Sequence, residues 1–141
     1  MKVLIINGPN LNMLGIRQPE VYGSQTYDDL VSYCHEEAQK LNIEVTCFQS
    51  NHEGAIIDKI QEAYQKYDGI IINAGAYTHY SIAIMDALKS VNIPTIEVHL
   101  SNIYERESYR HTSFIKEVSL KSFVGLGFEG YKQALLTLKN I

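Results

Sequence analysis

Five short runs rich in apolar and β-branched residues recur along the chain. The first, KVLIIN, is apolar on both faces and is followed by Gly8 and Pro9, which is typical of a strand buried on both sides in a parallel sheet. The run III at 70–72 has the same character and stops at the turn sequence NAG. The predicted strands are 2–7, 43–48, 70–72, 94–98 and 118–125.

Segments with an apolar residue at every third or fourth position lie between these runs and predict helices. The clearest begins at Thr26, where Asp29 completes a capping box and Leu30, Cys34 and Ala38 then recur at helical spacing. The other predicted helices run from about 51 or 52 to 68, from a cap at Thr78 to about 90, and from 131 to 138, with one short helix inside 101–113.

This alternation of strands and helices predicts an α/β fold of one domain, 1–141. We expect a flavodoxin-like three-layer sandwich with a five-stranded parallel sheet of order 2-1-3-4-5. Such sheets bind ligands beyond the carboxyl ends of their strands, at the switch point between strands 1 and 3. The loops 8–23, 73–79 and 99–110 should therefore meet there.

The segment 8–23 has no helix or strand period, and loops of this length in compact domains are usually lids or binding loops. Its glycines, prolines and apolar residues accompany Asn10, Arg17 and Tyr22, so we expect a lid that is more mobile at 17–23 without ligand. A tyrosine, with an ordinary pKa near ~10, becomes a useful base only beside a cation such as Arg17. Packing within the loop is the alternative role of Tyr22.

Composition narrows the classes of partner. The chain has 141 residues, of which 45% are hydrophobic, and a formal net charge of -4. No basic stripe is available for a nucleic-acid backbone, so nucleic-acid binding is not expected. The notable basic cluster, Arg106, Arg110 and His111, is interrupted by acidic residues and suits a small anionic substrate.

Cys34 and Cys47 lack the spacing of a metal site and are predicted to be free thiols, which fits a reducing compartment. The apolar run at the N-terminus is too short for a signal peptide or a membrane span. We therefore expect a cytoplasmic protein with no bound metal.

Glu97 and His99 face the same side of the fourth predicted strand, because side chains alternate along a strand. A carboxylate within a buried strand is costly unless it is paired, so we expect it to bind His99 and fix the histidine tautomer. The alternatives are a strand end at which Glu97 meets water, and a purely structural His99.

The residues after this strand combine a possible N-terminal cradle with two arginines. Backbone N–H groups of Leu100 and Ser101 would hold a carboxylate or phosphate if a helix begins there, although an ordinary helix cap fits equally well. Arg106 and Arg110 are four apart and would share a helical face, where they either clamp an anion or are solvated.

Asn73 and His79 follow the third predicted strand, where they either contact a ligand or only form a turn and a first helical turn. Asp86 lies seven residues beyond His79, which is two turns along one face of the helix predicted from Thr78. That polar edge is a candidate contact with a neighbouring subunit.

Several motifs are absent from the sequence. No GxGxxG follows the first predicted strand, and the sequence contains no GxxxxGK[ST] or GxSxG, which removes support for dinucleotide, P-loop and serine-hydrolase functions. A flavodoxin-like module that binds FMN or a nucleotide stays an alternative, although NGPNLNMLG has no hydroxyl side chain for a phosphate. A weaker alternative is an aldolase or isomerase that acts on a keto acid.

The segments NGPNLNMLG, RQPEVYG, NAGAYTHYSIAIMDAL, EVHLSNIYERESYR and VGLGFEGY, in this order, resemble type II 3-dehydroquinate dehydratase. The resemblance implies a cofactor-free hydro-lyase of the shikimate pathway, which makes 3-dehydroshikimate from 3-dehydroquinate by anti elimination through an enolate. It also implies trimers assembled into a homododecamer, a tetramer of trimers.

The resemblance further implies a role for each matching residue. Tyr22 would remove the proton beside the ketone, Arg17 would lower its pKa, His99 would protonate the leaving hydroxyl, Glu97 would orient His99, and Asn10 would help to stabilise the enolate. The substrate-binding residues would be Asn73, His79, Leu100, Ser101 and Arg110, with Asp86 reaching an adjacent subunit and Arg106 in a supporting role.

Overall fold

A computed structural model describes residues 1–16, 20 and 24–141. Its five parallel strands follow the order β2-β1-β3-β4-β5, as predicted from the alternation of elements. The hydrophobic runs form the strands because both faces of the sheet are covered by helices, so that β1, β3 and β4 are almost wholly buried. The strands are β1 Lys2–Asn7, β2 Glu44–Gln49, β3 Gly69–Asn73, β4 Thr95–His99 and β5 Lys121–Val124.

Four α-helices cover the two faces in the part of the chain that the structure describes. They are α1 Tyr27–Lys40, α2 Glu53–Glu62, α3 Ile82–Val91 and α4 Glu129–Lys139. Buried residues of α1 and α4 pack with Val3 and Ile5 on one face, and those of α2 and α3 pack with Leu4 and Ile6 on the other. Alternate residues of β1 therefore serve two cores, and the predicted three-layer sandwich is confirmed.

The first helix begins as predicted. The Thr26 hydroxyl accepts a hydrogen bond from the Asp29 N–H at 3.2 Å, and the Asp29 carboxylate accepts one from the Thr26 N–H at 2.9 Å. Leu30, Cys34 and Ala38 are buried on its inner face, while Cys34 and Cys47 are free thiols.

The predicted start of the third helix is wrong. Thr78 lies in a 3₁₀-helix, Gly75–His79, and α3 begins after Ser81, whose hydroxyl accepts a hydrogen bond from the Ile84 N–H at 3.0 Å. The Ser81 hydroxyl also donates to Glu53 in α2, so a contact between two helices fixes the cap.

The bounds of two other elements differ by more than two residues from those predicted. Helix α2 ends at Glu62 rather than at 68. Beyond it the N–H groups of Lys66 and Tyr67 both donate to the Ala63 carbonyl and form turns. The fifth strand is shorter than 118–125, because 116–118 forms a 3₁₀-helix before β5 begins at Lys121.

The loops after β1 and β3 touch through their backbones. A Cβ atom on Gly8 would lie 2.5 Å from the Ala74 carbonyl oxygen. Gly75 has φ +59, and a Cβ there would lie 3.0 Å from the Pro9 carbonyl oxygen. Only glycine accommodates these approaches, which join the two strand ends on either side of the switch point. In the described ranges, no helix is long and apolar enough to cross a membrane.

Candidate active site

A cavity lies at the carboxyl ends of β1, β3 and β4. The three loops predicted to meet at the switch point do so, as far as the first of them is described. The predicted site residues that line the cavity are Asn10, Asn73, His79, His99, Leu100, Ser101, Arg106 and Arg110.

Glu97 and His99 form the predicted pair at the end of β4. The His99 Nε2 and Glu97 Oε2 atoms are 2.8 Å apart, and both side chains are buried. Because a carboxylate only accepts, Nε2 carries the proton of this bond, and Nδ1 is the ring nitrogen left for other partners. The alternative in which Glu97 meets water at a strand end is wrong, since Glu97 is 1% exposed.

Two serines complete the surroundings of Glu97. Ser113 Oγ donates to Oε2 at 2.5 Å, and Ser122 Oγ donates to Oε1 at 2.6 Å. Burial raises the pKa of Glu97, but the hydrogen bonds from His99, Ser113 and Ser122 outweigh it, so that the pKa lies below its usual 4.5. The carboxylate is therefore ionised at neutral pH despite its burial.

Sequence reasoning missed both serines. Ser122 lies directly opposite Glu97 in the register of β4 with β5, so the pairing of these strands was the signal that would have located it. Ser113 comes from the segment that carries the two arginines. It ties that segment to the strand that presents His99.

We expect Ser122→Ala to lower the free energy of unfolding by about 1–3 kcal/mol at neutral pH, because it removes a hydrogen bond to a charged group. The lowered pKa of Glu97 means that this stabilisation is complete above pH 4.5 and is lost as the pH falls through the lowered pKa. The difference in free energy of unfolding between Ser122→Ala and the wild type should therefore become smaller in acid. Urea unfolding at neutral pH and at about pH 3 measures it.

Ser119→Ala is the matched control, because the Ser119 hydroxyl is also half-buried but donates to the Ile115 carbonyl at 2.8 Å. Its effect should be independent of pH. A Ser122→Ala effect that stays constant across this range would contradict the electrostatic role of the hydroxyl.

Asn73 acts as a turn former and also faces the cavity. Its Oδ1 accepts a hydrogen bond from the Gly75 N–H at 3.1 Å, and its Nδ2 donates to the Tyr131 hydroxyl at 3.3 Å. The amide is 4% exposed and lines the cavity, so the two bonds fix its orientation there. The contact with Tyr131 was not predicted.

His79 is held in one tautomer. Its Nδ1 lies 2.8 Å from the Thr112 carbonyl oxygen, which only accepts, so Nδ1 carries the proton. Burial lowers the pKa of His79 below its usual 6.5, against the opposing effect of this hydrogen bond. At neutral pH the ring is therefore uncharged, and Nε2 is an acceptor.

His79 and Asp86 do not share a helix face, contrary to the prediction. The 3₁₀-helix that contains His79 ends before α3, and Asp86 lies within α3. Asp86 is not among the described residues that line the cavity of its own chain. Its expected contact with an adjacent subunit stays a prediction.

Arg106 and Arg110 line the cavity but do not share a helical face, which corrects the second prediction about helix geometry. The segment forms two 3₁₀-helices, Ile103–Glu105 and Ser108–Arg110, and Arg106 between them is extended with φ -100. The arginines instead share Glu107, whose Oε1 is 3.0 Å from Arg110 Nε and 3.9 Å from Arg106 Nε. Hydrogen bonds from Tyr109 and Arg110 help to lower the pKa of Glu107 to about 2.

The chain between β4 and the first 3₁₀-helix of this segment contains both a helix cap and part of the cavity lining. Asn102 is an ordinary cap, because its side chain accepts a hydrogen bond from the Tyr104 N–H at 3.0 Å. Leu100 and Ser101 line the cavity. The predicted cradle would thus be formed by the chain as it leaves β4 rather than by a regular helix.

Asn10 enters the cavity lining from the first loop. It has a left-handed backbone with φ 70, and its N–H donates to Asn51 Oδ1 at 3.0 Å. Arg17 and Tyr22, the predicted base and its cation, lie outside the described residues. Within the ranges that the structure covers, no group of three or more His, Cys, Asp or Glu side chains is arranged to hold a metal ion.

Fold and site together define a flavodoxin-like α/β protein with a paired carboxylate and histidine at the switch point of its sheet. The chain belongs to the class II dehydroquinase family, whose model matches residues 1–139. It is 55% identical to 3-dehydroquinate dehydratase of Clostridium acetobutylicum, with 100% of this chain and 98% of the relative covered.

Other relatives agree with this assignment. The chain is 58% identical to 3-dehydroquinate dehydratase of Caldicellulosiruptor bescii, with 99% and 97% of the two chains covered. The crystal structure of type II dehydroquinase from Butyrivibrio crossotus superimposes with a TM-score of 0.96 at 58% identity, and the match covers 98% of this chain and 97% of that chain.

Proposed function

We propose that this chain is a 3-dehydroquinate dehydratase, a hydro-lyase of the shikimate pathway that converts 3-dehydroquinate to 3-dehydroshikimate and water. The observation that carries the proposal is the family match across residues 1–139. The Glu97–His99 pair beside the cavity supports it, because loss of water needs an acid for the departing hydroxyl. All 141 residues would form one catalytic domain.

The chemistry divides between a base and an acid. Tyr22, as the phenolate that Arg17 stabilises, removes the proton beside the ketone and becomes the neutral phenol, and Arg17 also stabilises the transition state. The enolate that forms is stabilised by Asn10, either directly or through water. His99, carrying a proton on Nδ1 as well as the Nε2 proton that binds Glu97, then gives the Nδ1 proton to the leaving hydroxyl on the opposite face, which gives anti elimination, while Glu97 fixes the ring. No cofactor takes part in these steps.

Substrate binding falls to the polar residues around the cavity. The substrate is a small hydroxylated keto acid, so it needs a carboxylate site and hydroxyl partners. The backbone N–H groups of Leu100 and Ser101 hold the carboxylate. The other binding residues are Asn73, His79 and Arg110, with Arg106 supporting them.

The tautomer of His79 decides which hydrogen bond the ring can form with substrate. With Nδ1 donating to Thr112, Nε2 accepts a hydrogen bond from a substrate hydroxyl. Arg110 would exchange part of its contact with Glu107 for a contact with substrate. Glu107 is thus the partner of Arg110 when no substrate is bound.

The assembly is proposed to be a homododecamer, a tetramer of trimers, in which Asp86 reaches the site of an adjacent subunit. The proposed location is the cytoplasm. Sedimentation of the purified protein would measure the assembly, and a stable monomer at working concentration would contradict it.

The direct experiment is to add purified protein to 3-dehydroquinate. We expect ultraviolet absorbance to grow, because the product contains a conjugated enone. Folded protein without activity would overturn the proposal. A flavodoxin-like module that binds FMN or a nucleotide is not favoured by the family match, and it predicts a yellow protein or a thermal shift with FMN.

A further inference from the structure

The hydroxyl of Tyr131 lies between two asparagines at the ends of neighbouring strands. Tyr131 is in α4 and is 0% exposed. Its hydroxyl donates to Asn7 Oδ1 at 2.6 Å and accepts from Asn73 Nδ2 at 3.3 Å. Asn7 and Asn73 are register partners at the carboxyl ends of β1 and β3. One phenol therefore connects the two strands that flank the switch point.

The hydrogen bonds among these side chains form a chain in which each group donates to the next. The Gly75 N–H donates to Asn73, Asn73 donates to Tyr131, and Tyr131 donates to Asn7. Burial raises the pKa of Tyr131 well above its usual value, so the hydroxyl keeps the proton that it donates.

Packing alone does not require this hydroxyl. The Tyr131 ring belongs to an apolar cluster with Leu135 and Val98, where phenylalanine would fill nearly the same volume. Burying a hydroxyl is costly unless it is hydrogen-bonded, and the bonds formed here go to two side-chain amides. One of these amides, that of Asn73, lines the cavity.

We infer that Tyr131 is a positioning residue, whose hydroxyl holds the Asn73 amide in the orientation that binds substrate. The inference rests on the proposed function. Asn73 has two N–H donors on Nδ2, and Tyr131 takes one of them while Gly75 occupies Oδ1. The second N–H is thereby directed by two fixed bonds and offers substrate a donor that needs no reorganisation on binding.

Tyr131→Phe tests this role. We expect KM to rise about tenfold while kcat changes by less than about threefold, because Asn73 contributes to binding in the ground state and the transition state alike. In the Asn73→Ala background, Tyr131→Phe should then have no further effect on kcat/KM. A loss that multiplies with that of Asn73→Ala would overturn the inference, because it would mean that the hydroxyl acts elsewhere.

Tyr67→Phe is the matched control. The Tyr67 hydroxyl is hydrogen-bonded to Thr46 Oγ1 at 3.1 Å, and its ring packs on the opposite face of the sheet. This variant should keep the wild-type KM.

Asn7→Ala is a second test of the role of Tyr131, because it removes the acceptor that orients the Tyr131 hydroxyl. Like Tyr131→Phe, it should raise KM.

Hydrogen exchange at the Gly75 N–H provides a readout that does not depend on activity. Release of the Asn73 side chain should accelerate this exchange about tenfold in Tyr131→Phe and leave it unchanged in Tyr67→Phe. Accelerated exchange in a protein whose wild type is inactive on 3-dehydroquinate would retain the link between Tyr131 and Asn73 and reject the proposed function. Unchanged exchange with an unchanged KM in an active enzyme would reject the inference alone.

Discussion

Replacing His99 by glutamine should lower kcat by about a thousandfold, which is within the range for loss of a general acid. The glutamine amide can still donate to Glu97 Oε2, as His99 Nε2 does at 2.8 Å, so the buried carboxylate keeps a partner. It cannot transfer a proton to the departing hydroxyl. The free energy of unfolding should therefore change by no more than about 1–2 kcal/mol.

The measurement combines steady-state kinetics on 3-dehydroquinate with urea unfolding. His35→Gln is the control, because His35 is exposed on α1 and distant in sequence from the site. It should leave both quantities at wild-type values. A His99→Gln enzyme that turns over within about tenfold of the wild type would show that another group supplies the proton.

Tyr22→Phe should lose at least about a hundredfold in kcat, because phenylalanine removes the only proton acceptor of the side chain. Arg17→Ala should lower the rate in the same direction, since a phenolate without a neighbouring cation is costly at neutral pH. Both residues lie outside the described part of the structure, and the prediction follows from the resemblance in sequence. Thermal unfolding of both variants should stay close to that of the wild type.

Tyr64→Phe provides the comparison, because Tyr64 is 55% exposed at the end of α2 and faces solvent. It should be fully active. The absorbance assay with wild type, Tyr22→Phe and Tyr64→Phe distinguishes the roles, and a wild-type rate in Tyr22→Phe would exclude this tyrosine as the base.

The sheet could be predicted from the sequence because buried parallel strands have a strong local signature. Continuous apolar runs marked β1 and β3, and the handedness of crossovers left few possible orders. The Glu97–His99 pair followed from strand alternation and the cost of a buried charge. Each of these arguments uses residues that are close in sequence.

The errors arose where a distant contact decides the local structure. Thr78 and Ser81 are both acceptable caps, and the choice depends on Glu53, which is far away in the sequence. The two arginines of 101–110 suggested one helix, but Ser113 holds the end of this segment against Glu97. Tyr131 was part of a quoted motif, but its role was invisible until α4 was placed against the strand ends.

The glycine contacts at the switch point indicate how this enzyme could be given a different substrate. One wall of the cavity joins backbone to backbone, at Gly8 with Ala74 and at Gly75 with Pro9, so a new side chain there would separate β1 from β3. The opposite wall, 101–113, is held instead by side-chain contacts, among them those of Ser113 with Glu97 and of His79 with the Thr112 carbonyl. Libraries for altered specificity should therefore vary the second wall, where change costs less stability, and leave the first intact.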